Sequence, residues 1–219
     1  MQYSLTEAQA ELRVQILKLC ADFGDEYWLK IDQEARFPEE FYKAVASAGW
    51  LGIAMPEEFG GAGLGISEAT VMMQAVAESG ACMSGASAIH MNIFGLNPVV
   101  VFGTPAQKQR FLPPLIAGQE KACFGVTEPN TGLNTTELKT RAEKRGDRYI
   151  INGQKIWIST AQVADRILLL ARTTPLDQVK RKTDGLTLFY TKLDRAKVEV
   201  RLIHKMGRHG VDSNMLFFD

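Results

Sequence analysis

Cysteine and histidine are both scarce, at three each in 219 residues. Cys20, Cys82 and Cys123 are odd in number and widely spaced. That excludes a disulfide framework and a zinc-type cysteine pattern, and suits a reducing compartment. His90, His204 and His209 form no HxxxH pair, so a histidine-rich metal site is not expected. No run of consecutive apolar residues is long enough to span a bilayer. The opening stretch MQYSLTEAQAEL has neither a basic n-region nor an apolar h-region, which excludes a secretory signal there. No compact Lys/Arg run with interleaved aromatics occurs, so no nucleic-acid partner is expected. Internal repeats and low-complexity tracts are also missing.

Net charge is zero, with 25 basic and 25 acidic residues, but the halves differ. Residues 1–120 carry 7 Lys+Arg and 14 Asp+Glu, a balance of −7; residues 121–219 carry 18 and 11, a balance of +7. Either the second half attracts phosphates, or two oppositely charged halves of one protein meet.

What is present divides at the same point. Residues 1–120 read as helices. Thr6 and Gln9 form a capping-box pattern ahead of Leu12, Ile16, Leu19 and Phe23, with Leu5 on the same face. A second helix opens at Pro38, turns Phe41, Val45 and Ala48 inward and stops at Gly49. Residues 51–66 hold five glycines and one proline and read as a packed loop. Ser67 caps a helix that ends at Gly80. Residues 84–102 form a mostly apolar, buried helix interrupted by Gly95 and Pro98. Thr104-Pro105 opens a last helix, ended by Pro113-Pro114 and Gly118.

From residue 121 the pattern is that of strands. ACFGVT is followed by 138–143 and 148–151, which flank a hairpin turn at Lys144-Arg145-Gly146-Asp147. Asn152-Gly153 reads as a second turn before KIWIST. RILLLAR, GLTLFYTK, KVEVRLI and NMLFF complete the set, with a polar connection at 173–184. The expected fold is therefore α+β and segregated: a helical domain at 1–120, then a β-barrel or orthogonal β-sandwich domain at 121–219. The chain stops at Phe218-Asp219 directly after a strand, and we read it as a truncation.

Two stretches carry the chemistry. CFGVTEPNTGLN (123–134) runs from an apolar strand through Thr127-Glu128-Pro129 to Gly132, where backbone can approach a ligand. KIWIST (155–160) follows about one hairpin later. Together they supply strand ends, hydroxyls, a Trp and a Gly, a set suited to a planar, phosphate-bearing cofactor.

FGVTEPNTGLN followed by NGQKIWIST resembles the middle domain of the acyl-CoA dehydrogenase family, whose usual form is close to TEP-x-(A/T)-G-S-D and then NG-x-K-x-W-I-T/S. MPEEFGGAG, FGTPAQKQRFLPPLIAG and MGRHGVDSNMLFFD resemble the family's loop, helix and closing β segment in the same order. The resemblance covers essentially the whole chain. It implies non-covalent FAD. Phe124, Val126 and Thr127 would line the isoalloxazine, with Thr127 offering its hydroxyl to the pyrimidine edge. Trp157 and Ile158 would pack beside the flavin, and Ser159 would place its hydroxyl near N5. Residues 130–134, Gly132 and Leu133 among them, would wrap toward the pyrophosphate and the thioester, and His90 would lie toward the floor of the acyl pocket. Read without the resemblance, Trp157 is a core aromatic and His90 a hydrogen-bonded core histidine. Leu133 and Asn134 depart from the family's Ser and Asp, which removes a hydroxyl and a charge. His209 stands where many relatives have Arg, and we assign it no role.

The implied reaction is α,β-dehydrogenation of an acyl-CoA. The implied acceptor is an electron-transferring flavoprotein, the full-length protein a homo-oligomer, and the compartment cytoplasmic, or the mitochondrial matrix in a eukaryote. The base that takes the α-proton belongs, by the resemblance, to a C-terminal helical domain beyond Asp219. Glu128 supports structure beside the flavin, and no catalytic residue is assigned. The chain alone is expected to bind FAD poorly and not to turn over. Two alternatives stay open: an acyl-CoA oxidase or flavin monooxygenase of the same fold, or a stand-alone non-catalytic module.

Overall fold

A computed structural model describes residues 4–219. The first three residues, part of the stretch read as lacking a secretory signal, lie outside them. The chain forms two compact units, one of residues 1–121 with Lys205–Val211, the other of Ala122–His204 with Asp212–Asp219.

The first unit is helical. α1 (Glu7–Cys20) starts where expected, because the Thr6 hydroxyl accepts from the Gln9 amide at 3.2 Å and the Gln9 side chain accepts from Thr6 N–H at 3.1 Å. Its inward stripe is Leu12, Ile16 and Cys20, while Leu5 is exposed. α2 (Asp25–Glu34) was not foreseen. Its buried positions, Trp28 and Ile31, are too few to show a period in the sequence. α3 (Glu39–Ser47) follows Pro38 and buries Phe41, Tyr42 and Val45; Tyr42 takes the inward place expected of Ala48, which is exposed. The 51–66 loop is packed: Leu51, Ile53 and Met55 are buried, and Ala62 N–H reaches Gly52 O at 2.9 Å.

α4 (Ile66–Val76) begins two residues earlier than a Ser67 cap implies, since Glu68 reaches back to Gly65 N–H at 3.0 Å. Two π turns, Ala77–Ala81 and Met91–Gly95, join α4 to α5 (Cys82–His90) and lead to α6 (Asn97–Phe102). Pro98 lies in the first turn of α6, where its missing N–H costs nothing, so it starts a helix rather than interrupting one. The joined run Ile66–Phe102 passes by length and composition for a membrane-crossing helix, with Ala, Gly and Ser keeping it apolar without a continuous run. More than half of its most apolar window is buried within the chain itself, as in a core helix of a folded unit. α7 (Pro105–Ile116) is boxed by Thr104 and Gln107 and continues through Pro113-Pro114 instead of ending there. Two prolines in the last turn forgo backbone bonds, and burial of Leu112, Leu115 and Ile116 holds the turn nonetheless.

Deep in this unit Asn92 is fully buried. Its side-chain amide donates to Tyr42 Oη at 2.8 Å, Leu115 O at 3.0 Å and Glu120 O at 3.2 Å. The Lys205–Val211 segment packs here as well. His209 N–H and Nδ1 meet the two Asp32 oxygens at 2.6 and 3.0 Å, and Arg208 donates to Ser87 Oγ at 2.7 Å.

The second unit is one seven-stranded mixed sheet in the order β1-β4-β2-β3-β7-β6, with β5 paired to β4. The strands are β1 (Ala122–Gly125), β2 (Arg141–Arg145), β3 (Arg148–Ser159), β4 (Arg166–Arg172), β5 (Leu186–Lys192), β6 (Val198–Leu202) and β7 (Ser213–Phe218). The β2–β3 hairpin turns at Gly146-Asp147 as expected. Asn152-Gly153 is not a turn. β3 runs through it for twelve residues, pairing with β2 up to Asn152 and with β7 from Gly153 onward. At the change of partner Gly153 has φ +145°, and a Cβ there would lie 2.7 Å from the Thr140 Cα. A glycine is required because two backbones touch. Cys123, Ile158, Ile167, Leu169, Leu216 and Phe218 form the core. Burial there pushes the Cys123 thiol up to about 12.

Candidate functional site

The ends of β1 and β3 come together in the second unit. The Ile156 N–H donates to Thr127 O at 2.9 Å, so the loop leaving β1 is bonded to the middle of β3. This places Phe124, Val126 and Thr127 beside the segment that carries Trp157, Ile158 and Ser159. Phe124 is 41% exposed on β1, while its neighbours Cys123 and Gly125 face inward. Val126, Thr127 and Ser159 are half-buried.

A bulge decides which way Trp157 points. Lys155 pairs with Leu216 and Ile158 with Asn214, so β3 carries one residue more than β7 over this interval. Strict alternation would put 155, 157 and 159 on one face. Instead Lys155 and Ile158 are buried, and Trp157, at φ +65°, is turned out with 60% of its surface exposed. A positive φ at a bulky residue costs about 1–3 kcal/mol. The Ile158 side chain packs in the core, leaving only its backbone for a ligand. Gly132 has open space where a Cβ would stand, and Leu133 is fully exposed.

Below this surface lies a buried ion pair. Lys155 is 0% and Glu128 is 6% exposed, with Nζ 2.8 Å from Glu128 Oε1. Nζ also donates to Val126 O at 2.9 Å. The Glu128 carboxylate accepts from Thr140 N–H at 2.9 Å and from Lys139 N–H at 2.6 Å. Burial pushes the Glu128 carboxyl up, and Lys155 with the two amides overcomes it, so it stays below the ordinary carboxylate range. Burial brings Lys155 down, and the carboxylate opposes that only in part. A cavity of about 140 Å³ adjoins the pair, lined by Glu128, Pro129, Asn130, Lys139, Thr140, Gly153 and Gln154. Of the residues assigned to the flavin, Asn130 alone lines it.

These features fit a planar aromatic cofactor. Phe124 and Trp157 each expose an aromatic ring on segments that are bonded to one another, and exposed apolar surface is what a binding site offers. Thr127 and Ser159 are half-buried in the same two segments, and the open backbone at Gly132 follows in the loop leaving β1.

His90 lies in the first unit, at the end of α5. Its Nδ1 is 2.9 Å from Ser87 O. Burial lowers its pKa, the Ser87 carbonyl opposes this and the Arg208 cation adds to it, so the ring is held neutral.

Residues 6–119 match the N-terminal domain and residues 123–219 the middle domain of the acyl-CoA dehydrogenases. The chain belongs to the acyl-CoA dehydrogenase family. It is 31% identical over 218 residues to mitochondrial isovaleryl-CoA dehydrogenase of Pongo abelii, covering 98% of this chain and 51% of that protein. The crystal structure of an acyl-CoA dehydrogenase from Geobacillus kaustophilus superposes with a TM-score of 0.90 at 26% identity, over 100% of this chain and 57% of that one. The prolyl acyl carrier protein oxidase AnaB superposes with a TM-score of 0.85 at 26% identity, over 99% and 57%. The chain thus spans about half the length of the relatives it matches.

Within this family frame two residues escaped the sequence reading. Lys155 has no role in the sequence reading, and its partner Glu128 stands 27 positions away, although a charge inside a strand stays buried only with a partner. Arg172, at the end of β4, is buried and donates to Asp184 O at 3.0 Å, Thr136 O at 2.7 Å and Lys182 O at 3.1 Å. It fixes the 134–137 turn that follows the flavin loop. Nothing local in RILLLAR distinguishes that arginine from an exposed strand end.

Proposed function

We propose that this chain is the flavin-holding and acyl-holding part of an FAD-dependent enzyme that dehydrogenates acyl-CoA thioesters. The observation that carries the reading is the 2.9 Å bond from Ile156 N–H to Thr127 O, which ties the segment of Phe124, Val126 and Thr127 to the segment of Trp157 and Ser159. Family membership supports the choice of FAD. FAD, when bound, supplies acceptance of the hydride leaving the acyl β-carbon. Phe124, Val126 and Trp157 cover the rings and exclude water. Thr127 and Ser159 offer hydroxyls to the flavin's polar edge, and Gly132 admits backbone donors close to the pyrophosphate. Leu133 supplies no hydroxyl there, so binding at that point falls to backbone N–H groups. Glu128 does not serve as the proton acceptor, because its carboxylate is already engaged by Lys155, Lys139 and Thr140. His90, neutral and partly buried, contributes a polar contact to the acyl pocket. Electrons pass on to an electron-transferring flavoprotein.

The test uses protein that carries the whole family architecture: titration with FAD, followed by visible circular dichroism, and then anaerobic addition of a panel of acyl-CoAs. A saturable, induced flavin signal and bleaching by some acyl-CoAs are expected. An absent flavin signal at any FAD concentration overturns the reading. The similarity to an acyl carrier protein oxidase favours one second reading, transfer of the electrons to oxygen. Oxygen consumption during turnover separates the two.

A further inference from the structure

We propose that the buried Glu128–Lys155 pair is a positioning device that sets the flavin-facing surface, holding the Val126–Thr127 backbone and the Trp157 bulge in one geometry. The proposal rests on the functional reading above only for the identity of the ligand.

The contacts converge on one point. Lys155 is the last residue of β3 in regular register before the bulge, and Trp157 comes two positions later. With no exposed surface, the Lys155 side chain runs inward, and its ammonium is held by Val126 O at 2.9 Å and Glu128 Oε1 at 2.8 Å. One side chain therefore anchors both halves of the surface: the carbonyl just before Thr127 and the start of the turn that swings Trp157 outward. Glu128 closes the frame from the other side, taking the Lys139 and Thr140 amides, so the strand leading into β2 is tied in too. The parallel backbone bond from Ile156 to Thr127 fixes the spacing between the two anchors.

Stability alone does not account for such a pair. Buried ion pairs can often be replaced by apolar groups without loss, because desolvation offsets attraction. Their distinctive property is directional. The ammonium accepts only positions facing two oxygens, and the carboxylate only positions facing three donors. An apolar pair of equal volume would let the 126–128 backbone and the bulge slide relative to one another. Here a small slide changes the separation of Phe124 and Trp157, which the functional reading makes the walls of the flavin site.

The experiment uses the full chain in a Trp28→Phe, Trp50→Phe background, so that Trp157 is the single tryptophan. Lys155→Met and Glu128→Gln are compared with Leu193→Ala, a substitution in the same core at a residue that pairs with neither Lys155 nor Glu128. Two quantities are measured under native conditions: acrylamide quenching of Trp157 in the ligand-free protein, and the dissociation constant for FAD. Both pair variants should change the quenching of Trp157 and weaken FAD binding about tenfold or more, as expected when positioned groups move by a fraction of a bond length. Leu193→Ala should leave both near the starting values. Equal effects in all three variants, or unchanged quenching in the pair variants, overturn the proposal. If Lys155→Met does not fold, Glu128→Gln decides, since it keeps the side-chain shape and removes the charge. If the parent protein binds no FAD, the functional reading fails, while the quenching comparison still decides the positioning role.

Discussion

Replacing Gly153 by alanine should damage the second unit far more than a methyl group suggests. Gly153 sits where β3 exchanges β2 for β7, at φ +145°. Two costs add. Holding an alanine in that backbone region costs about 1–3 kcal/mol. The new Cβ would also stand 2.6 Å from Thr140 Oγ1, 2.7 Å from its Cα and 2.8 Å from its Cβ. Backbone cannot rotate away as a flexible side chain can, and forcing such a shift costs roughly 1–3 kcal/mol more. Thr140 is itself held, its amide by Glu128 at 2.9 Å, so the displacement is resisted. The sum is about 2–6 kcal/mol. The comparison is Gly146→Ala in the β2–β3 turn, where φ is +64° and no atom lies within 4 Å of the added carbon. There only the conformational term remains, about 1–2 kcal/mol. Urea unfolding followed by far-ultraviolet circular dichroism measures both. If Gly153→Ala costs no more than Gly146→Ala, the close backbone approach is not what requires glycine at this position.

In the first unit, Asn92→Leu removes the donor shared by Tyr42, Leu115 and Glu120 and should cost about 1–3 kcal/mol in urea unfolding; Asn92→Asp, which turns an acceptor toward two carbonyls, should cost more. Trp157→Gly should leave stability within about 1 kcal/mol of the parent, since the ring is largely exposed and glycine accepts the positive φ, while FAD affinity falls on the proposed function. The His209–Asp32 contact predicts a pH window. The Asp32 side chain, then the Lys205 carbonyl, raise the His209 pKa, so its contribution is full below the ordinary histidine value and fades as pH rises through the raised one. The His209 amide, followed against burial by its ring, lowers Asp32, whose contribution is lost as pH falls through that lowered value. The stability difference between parent and His209→Ala should therefore be largest in mildly acidic solution and shrink on both sides. A difference that does not vary between acid and alkaline pH would show that the ion pair is not what His209 contributes.

The segregated α+β architecture was legible because its signals are local. Thr6-Gln9 and Thr104-Gln107 cap their helices, and an Arg-Gly-Asp turn closes the β2–β3 hairpin. What escaped was set by tertiary contacts. Asn152-Gly153 has the composition of a turn, yet its glycine answers to the Thr140 backbone, twelve or more positions back. Pro113-Pro114 has the composition of a helix stop, yet burial of the last turn of α7 carries the helix through. At the candidate site, residue types could be read from the two motifs and brought together by resemblance. The outward turn of Trp157 could not be read, because an alternating pattern contains no mark of an inserted residue. Nor could the burial of Lys155, which depends on a carboxylate from another segment. The placement of Ile158 in the core follows from the same bulge.

The exchange of partners along β3 also orders events in time. Its first half closes against β2 across a two-residue turn, a local step of microseconds. Its second half must wait for residues far down the chain, since Ser159 meets Ser213 and Gly153 meets Phe218. Closing so long a loop is entropically dearer and slower. The residues that turn Trp157 outward belong to that second half. The hairpin should therefore form early and the flavin-facing bulge late, so that binding competence appears only as β7 docks.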